Sequence, residues 1–306
     1  RGWDVRTIEV GADAGSADGL AGVPTGATVL VDGLVGIRRP GAIEAAAGRL
    51  RVVVLAHMVV AAFPGADPRD IEGEARLLRC ARRVITTSEW ARSQLVGRGL
   101  VAAGMVVAAR PGADEGPAAV GSPTGGSLLC VGVIAPHKGQ DTLIDALDEI
   151  GSGLPWTCTF AGSDEVDAAF AARVSARVER AGLSGRVSWA GVLARPELDA
   201  AYARADLLVA PSRAESYGMA VADALGRGLP VLASRVGGIP EAVGAEGGAI
   251  LVPPEDPRAL GEALRRWMLD PALRTRLTDG ARRGALRRPR WRDTVDTVQT
   301  ALAGLS

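Results

Sequence analysis

The sequence predicts an α/β protein built as two lobes, each a parallel sheet dressed with helices. Three observations predict it. Short apolar runs of strand length alternate with amphipathic stretches of helical spacing, the rhythm of βα units. A chain of 306 residues has room for about two domains of ordinary size. Residues 111–126, rich in Pro, Gly and small side chains and poor in periodicity, divide that rhythm in two.

The first lobe is assigned residues 1–118. Its strand candidates are 6–10, 27–31, 51–56, 83–88 and 106–109, and residues 69–82 and 89–100 carry helical spacing. A linker at 119–126 leads to the second lobe, 127–285. There strands at 127–133, 156–161, 187–189 and 207–210 alternate with helices at 139–150, 168–181 and 198–205. Segments 218–227, 230–233, 239–243 and 250–252 continue the pattern, and amphipathic helices at 257–268 and 271–287 finish it. The tail, 286–306, reads as one more helix over 291–305 beyond Pro289, able to dock on either lobe. Sheets of this kind bind small molecules beyond the carboxyl ends of their strands, where loops meet helix N-termini.

Composition excludes several function classes. The 35 basic and 35 acidic residues cancel, so no global field draws the chain to nucleic acid. Arg76, Arg79, Arg82 and Arg83 read as the solvated face of a helix with Glu72 and Glu74 close by. Cys80, Cys130 and Cys158 make neither a disulfide framework nor a zinc pattern, which favours a reducing cytoplasm. Two histidines argue against a histidine-built metal centre, so no metal is expected. The longest apolar run, 52–63, contains His57 and is shorter than the roughly 20 residues that span a bilayer. No signal peptide opens the chain; an integral membrane segment is not expected, and peripheral attachment stays open. Oligomeric state is not encoded in any pattern found.

Two strand-to-helix loops carry candidate chemistry. Gly132-Val-Ile-Ala-Pro-His-Lys-Gly139 ends with Lys138, the only lysine of the chain, a cation able to stabilise charge developing on a leaving phosphate. The segment from Arg213 to Asp223 follows a strand and opens a helix, where small residues and unpaired amides suit a diphosphate. Glu215 and Asp223 there can accept paired hydrogen bonds from sugar or ribose hydroxyls. The bland readings are a solvated lysine and an ordinary cap with a surface acid. Gly237-Gly238 and Glu241 are explained by a tight turn before a short helix, and no G-x-G-x-x-G fingerprint supports a dinucleotide oxidoreductase.

On these residues, with Gly228-Leu-Pro-Val-Leu-Ala-Ser-Arg-Val-Gly-Gly-Ile-Pro-Glu241 and Leu251-Val-Pro-Pro-Glu-Asp256, the chain resembles the retaining glycosyltransferases of the GT-B fold (family 4, group 1). The resemblance implies two facing Rossmann-like lobes with an interlobe cleft. It implies retaining transfer of a hexose from a nucleoside diphosphate-sugar, with UDP-sugar slightly favoured and no further cofactor. The acceptor is a small molecule, glycan or lipid. Carried over, Glu215 contacts donor sugar hydroxyls, Gly218, Met219 and Ala220 hold the diphosphate, and Asp223 binds ribose. Lys138 pairs with phosphate, and His57, ending a first-lobe strand, faces the donor sugar. His137, Arg110 and Asp114 are further donor contacts. Asp223 stands where the family usually has glutamate, and Val133 where it commonly has arginine. The run Arg1-Gly-Trp-Asp-Val5 resembles the entry to the family's second strand, so the first strand, glycine loop and helix would precede it; either an upstream segment or an unusual lobe accounts for this.

Two other function classes compete. Glycosidase hydrolysis would set two carboxylates across a sugar bond, for which Glu215 and Asp223 qualify by type but not by setting. A nucleotide-sugar-binding or partner protein of the same fold is the alternative that Val133 and Asp223 motivate.

Overall fold

The computed structural model describes residues 4–9, 18–113, 116–151 and 153–305. It divides into two compact units, Arg1–Ala109 with Val295–Ser306, and Arg110–Thr294.

In the first unit a single turn, α1 (Asp18–Ala21), precedes β1 (Thr28–Asp32), α2 (Gly33–Ile37) and α3 (Pro40–Ala47). Then come β2 (Arg51–Ala56), α4 (Pro68–Cys80), β3 (Arg83–Thr86), α5 (Glu89–Gly97) and β4 (Val106–Ala108). The four strands lie in sequence order and pair in parallel. Side chains alternate across a strand, so one face sends Val52, Val54, Ala56, Val84 and Val106 into a core with Leu77, Leu78 and Leu95 of α4 and α5. The other face sends Val53, Leu55, Ile85 and Val107 toward the last helix of the chain, meeting Val298, Ala301, Leu302 and Leu305. The tail whose docking the sequence left undecided thus supplies the second cover of this sheet.

The strand expected at 6–10 is not found in its described part: residues 6–9 are exposed and without regular structure, and Val10 lies outside the described residues. Glu74 also departs from expectation. It is no surface acid but is 3% exposed, its carboxylate accepting from the backbone N–H of Val60 (2.8 Å) and Ala61 (3.2 Å). Burial pushes its pKa up, against the pull of those two N–H groups and Arg98. Arg76, by contrast, forks onto Glu44 at 2.9 and 2.6 Å.

The second unit holds β5 (Ser127–Val131), α6 (Gln140–Ile150), β6 (Thr157–Ala161), α7 (Ala168–Arg180), β7 (Val187–Gly191) and α8 (Arg195–Arg204). It continues with β8 (Leu207–Ala210), α9 (Met219–Gly226), β9 (Val231–Ser234), α10 (Ile239–Val243) and β10 (Ala249–Val252). Helices α11 (Pro257–Leu269) and α12 (Pro271–Ala285) follow, and after them comes α13 (Trp291–Ala303), which belongs to the first unit from Val295 on. Its six parallel strands run in the order β10-β9-β8-β5-β6-β7, the doubly wound arrangement, with a core on each face.

The stretch expected to end the first lobe at 118, and the linker after it, group with the second unit. The backbone explains this: Ala113, Ala119 and Val120 donate to the carbonyls of Pro289, Arg227 and Ala203, and Asp206 holds the N–H groups of Ser122 and Ser127. Composition marks such a segment as turn-rich, but its polar groups still need partners, and it finds them here.

Candidate functional site

Two adjacent strands, β5 and β8, end in loops that close on each other. Gly132 leaves β5 at φ +147°, a conformation that favours glycine, and the stem of Lys138 lies over it. The loop ends in a single tight turn, Pro136–Lys138, and Gly139 at φ +69° starts α6. A side chain on Gly139 would stand 2.1 Å from the Pro211 carbonyl, so glycine is what lets the two loops touch. Arg213 then rivets them. Its guanidinium takes Asp141 with two bonds (2.8 and 2.9 Å), the Pro136 carbonyl (2.6 Å) and Glu255 (2.9 Å), and its backbone N–H donates to the His137 carbonyl at 2.8 Å.

That clamp brings Lys138 Nζ to 2.5 Å from Glu215 Oε2, with the side chains only 24% and 18% exposed. Residues 77 apart in sequence thus form one charge pair at the carboxyl ends of the strands. His137 sits in their field: burial pushes its pKa down, Lys138 adds to this, and Glu215 opposes it. Below the pair, Gly237 and Gly238 lie on the backbone of Glu215 and Ser216, and the Gly238 N–H donates to the Glu215 carbonyl at 3.0 Å. Any Cβ at Gly237 would fall 1.7 Å from that carbonyl oxygen. The double glycine is therefore the bed on which the Glu215 loop rests.

Gly218, at φ +102°, opens α9; Met219 is exposed and Ala220 half-buried at its first turn. Asp223 lies one turn on, 3.8 Å from the Arg227 guanidinium. Arg110 pairs with Glu241 at 2.5 Å, and its carbonyl accepts from Thr294 Oγ1 at 2.6 Å. Burial raises the Tyr217 pKa, and Arg288, Glu241, Arg110 and Asp223 all act on this phenol, so Arg110 and Asp223 border one neighbourhood. Asp114 lies outside the described residues.

His57 belongs to the first unit, at the end of β2, and its Nε2 stands 2.9 Å from Asp32 Oδ2. Sequence reasoning missed Asp32, although an Asp-Gly between a strand and a helix is an N-cap signature. It also assigned no role to Arg213; its partners lie about 40 and 70 residues away, and no local pattern announces them.

A cavity of about 480 Å³ in the second unit is lined by Ser122, Asp206, Pro230, Arg274 and Arg282. It lies at the opposite, amino-terminal ends of β5, β8 and β9, and Asp206 there is occupied in holding the chain of 122–127. The Lys138–Glu215 loops, not this cavity, have the setting in which α/β sheets bind ligands. Among the described residues no group of three or more His, Cys, Asp or Glu is placed to hold a metal ion, and no helix is long and apolar enough to cross a membrane.

The family model for glycosyl transferases group 1 matches residues 120–284, more than half of the chain. The chain belongs to this family. The D-inositol 3-phosphate glycosyltransferase of Kineococcus radiotolerans is 32% identical over 239 residues, 70% of this chain and 55% of that one. The enzyme of the same name from Acidothermus cellulolyticus is 30% identical over 248 residues, 75% and 55%. The chain thus spans about half the length of these curated relatives, and less of others, such as 20% of that from Saccharomonospora viridis. Among solved structures, sucrose-phosphate synthase from Thermosynechococcus elongatus superposes with a TM-score of 0.77 at 23% identity, over 91% of this chain and 74% of that one. Anabaena Alr3699/HepE in complex with UDP-glucose gives 0.75 at 20%, over 90% and 78%. The two parallel, helix-flanked sheets are the Rossmann-like lobes of a GT-B fold.

Proposed function

We propose that the protein transfers a sugar from a nucleoside diphosphate-sugar, a UDP-sugar foremost, to a hydroxyl of a small molecule, glycan or lipid, with retention at the anomeric carbon. The observation that carries this is the Lys138–Glu215 pair beside the amino end of α9. In the free protein the two charges satisfy each other. A sugar nucleotide offers each a replacement: phosphate oxygens for the ammonium and sugar hydroxyls for the carboxylate. The backbone amides at Gly218, Met219 and Ala220 take the diphosphate, as helix starts do, and Asp223 takes ribose hydroxyls. His137 and Arg110 are further donor contacts, and His57 of the first unit meets the donor sugar. In the reaction the bond from the anomeric carbon to the diphosphate breaks and one to the acceptor oxygen forms. The acceptor's proton passes to the leaving phosphate, whose charge Lys138 stabilises. The relatives' names support glycosyl transfer, and the UDP-glucose in the HepE complex supports a sugar nucleotide as donor.

Screening UDP-, GDP- and ADP-sugars by thermal stabilisation, then using the best in a mass-based acceptor search, tests this. Lys138→Ala and Glu215→Ala should each lower transfer about 100-fold or more while melting close to the parent. Near-normal donor turnover by both variants would sink the site. Val133 favours a second reading: an apolar side chain stands where the family commonly has arginine, leaving a sugar-nucleotide-binding protein without transfer. Tight nucleoside diphosphate binding with no transfer across a broad acceptor panel selects that reading.

A further inference from the structure

We propose that Asp32 is a positioning residue for His57, fixing the ring so that Nδ1 faces the ligand as a hydrogen-bond acceptor for a hydroxyl. This rests on the reading above that His57 takes part in transfer. The observations that carry it all lie within the first unit.

Asp32 ends β1 and caps α2: its Oδ1 accepts from the N–H groups of Leu34 at 2.9 Å and Val35 at 3.2 Å. The carboxylate is thereby held before it meets the imidazole, so the pair loses little further side-chain freedom on forming. Its other oxygen, Oδ2, lies 2.9 Å from His57 Nε2. Partial burial works to raise the Asp32 pKa, but the bonds from His57, Val35 and Leu34 outweigh it, so the group is ionised at neutral pH. An ionised carboxylate only accepts, so Nε2 must carry the proton. In the neutral ring Nδ1 is then bare.

Among the described residues nothing uses that second nitrogen. The remaining bond at this residue is to its backbone carbonyl, from Thr87 Oγ1 at 3.5 Å, and no other hydrogen bond engages the ring among the described residues. The ring is also reachable, with side chains 40% exposed at His57 and 48% at Asp32. A bare, accessible imidazole nitrogen takes a hydrogen bond from an O–H and gives none to a phosphate oxygen. In its neutral form His57 therefore recognises a sugar or acceptor hydroxyl, not the diphosphate. The loop after His57 is held as well, since Glu74 bonds the N–H groups of Val60 and Ala61.

The chain has only two histidines, His57 and His137, so ring-nitrogen NMR on the full protein labelled at histidine, assigned with His57→Gln, reads the tautomer directly. The wild type should show the Nε2–H form. Asp32→Asn keeps the cap through Oδ1 but points an N–H at Nε2, so the proton should move to Nδ1. Asp32→Ser keeps the cap and removes the partner. With the sugar nucleotide chosen by thermal shift from UDP-, GDP- and ADP-glucose as probe, nucleoside diphosphate release should fall roughly tenfold in Asp32→Asn, the loss of one hydrogen bond, with unchanged melting. An Nδ1–H tautomer in the wild type, or wild-type release by Asp32→Asn, overturns the proposal. Wild-type release by His57→Gln overturns it too, by removing His57 from the reaction. That outcome leaves the Lys138–Glu215 site standing, which fails only if its own variants turn over donor normally.

Discussion

The two units solve the same packing problem in different ways. The second winds its helices to both faces of its sheet, because the strand order turns back on itself at β5 and β8. The first keeps its strands in sequence order, covers one face with local helices, and leaves the other to α13. The candidate residues follow the difference. Lys138 and Glu215 sit on loops locked backbone to backbone through Gly139 and Gly237, whereas the His57 ring is oriented by a side chain, that of Asp32. A site made by backbone contact tolerates no added atom, whereas one made by side-chain pairing depends on which atom donates and which accepts.

The largest effect should come from the borrowed cover. Ala301 is 4% exposed against Val53 and Ile85, so Ala301→Asp buries an unpaired charge and should cost the first unit about 4 kcal/mol. Thermal unfolding followed by hydrogen exchange should show its strands lost first, with β5 and β8 still protected. Simultaneous loss of both units would contradict the division. Next is Gly237→Ala, at φ +54° and with its Cβ 1.7 Å from a carbonyl, expected to cost on the order of 3 kcal/mol and to weaken donor binding with it. Gly244→Ala, at φ +70° in open space, should cost only about 1 kcal/mol and spare binding. Equal effects from the two would show that the bed under Glu215 is soft.

Smaller still is the pH response of Glu74. Its folded pKa lies above its unfolded value, so its contribution to stability is fully present below the ordinary glutamate range and is lost as pH rises through the raised value. Denaturation of wild type and Glu74→Gln at a series of pH values from 4 upward should therefore show the wild type losing ground to the variant as pH rises. Parallel curves would mean the carboxylate is better compensated than its burial implies. The smallest effect belongs to Arg110→Ala. Half of this side chain is in water, so breaking its pair with Glu241 should cost about 0.5 kcal/mol or less, while the donor KM rises if Arg110 contacts phosphate.

Strands buried on both faces were the most legible part of the sequence. Arg51–Ala56 shows a continuous apolar run because both faces are covered, and its bounds match those expected. Helix α2 was not legible. Its Gly33 and Gly36, with Gly73 of α4, look like breakers, yet Gly33 lets α2 start against the backbone of β2, and Gly36 and Gly73 let α2 and α4 meet: a Cβ on Gly73 would lie 2.2 Å from the Ile37 carbonyl. Residues 6–9 erred the other way, alternating like a strand with no pairing behind it. At the site, Lys138 stood out as the single lysine and Glu215 by its motif. Asp32 did not, because its partner is 25 residues away and nothing local to either marks a pair.

The docking of α13 also sets an order of events during synthesis. Val53, Leu55, Ile85 and Val107 leave the ribosome early, but the side chains that cover them, Val298 to Leu305, come almost 200 residues or more later. Until then the first unit exists as a half-covered sheet, and the second can finish on its own. Of the two units, the one made first is completed last, and a nascent chain carries an apolar face that a chaperone can hold in the meantime.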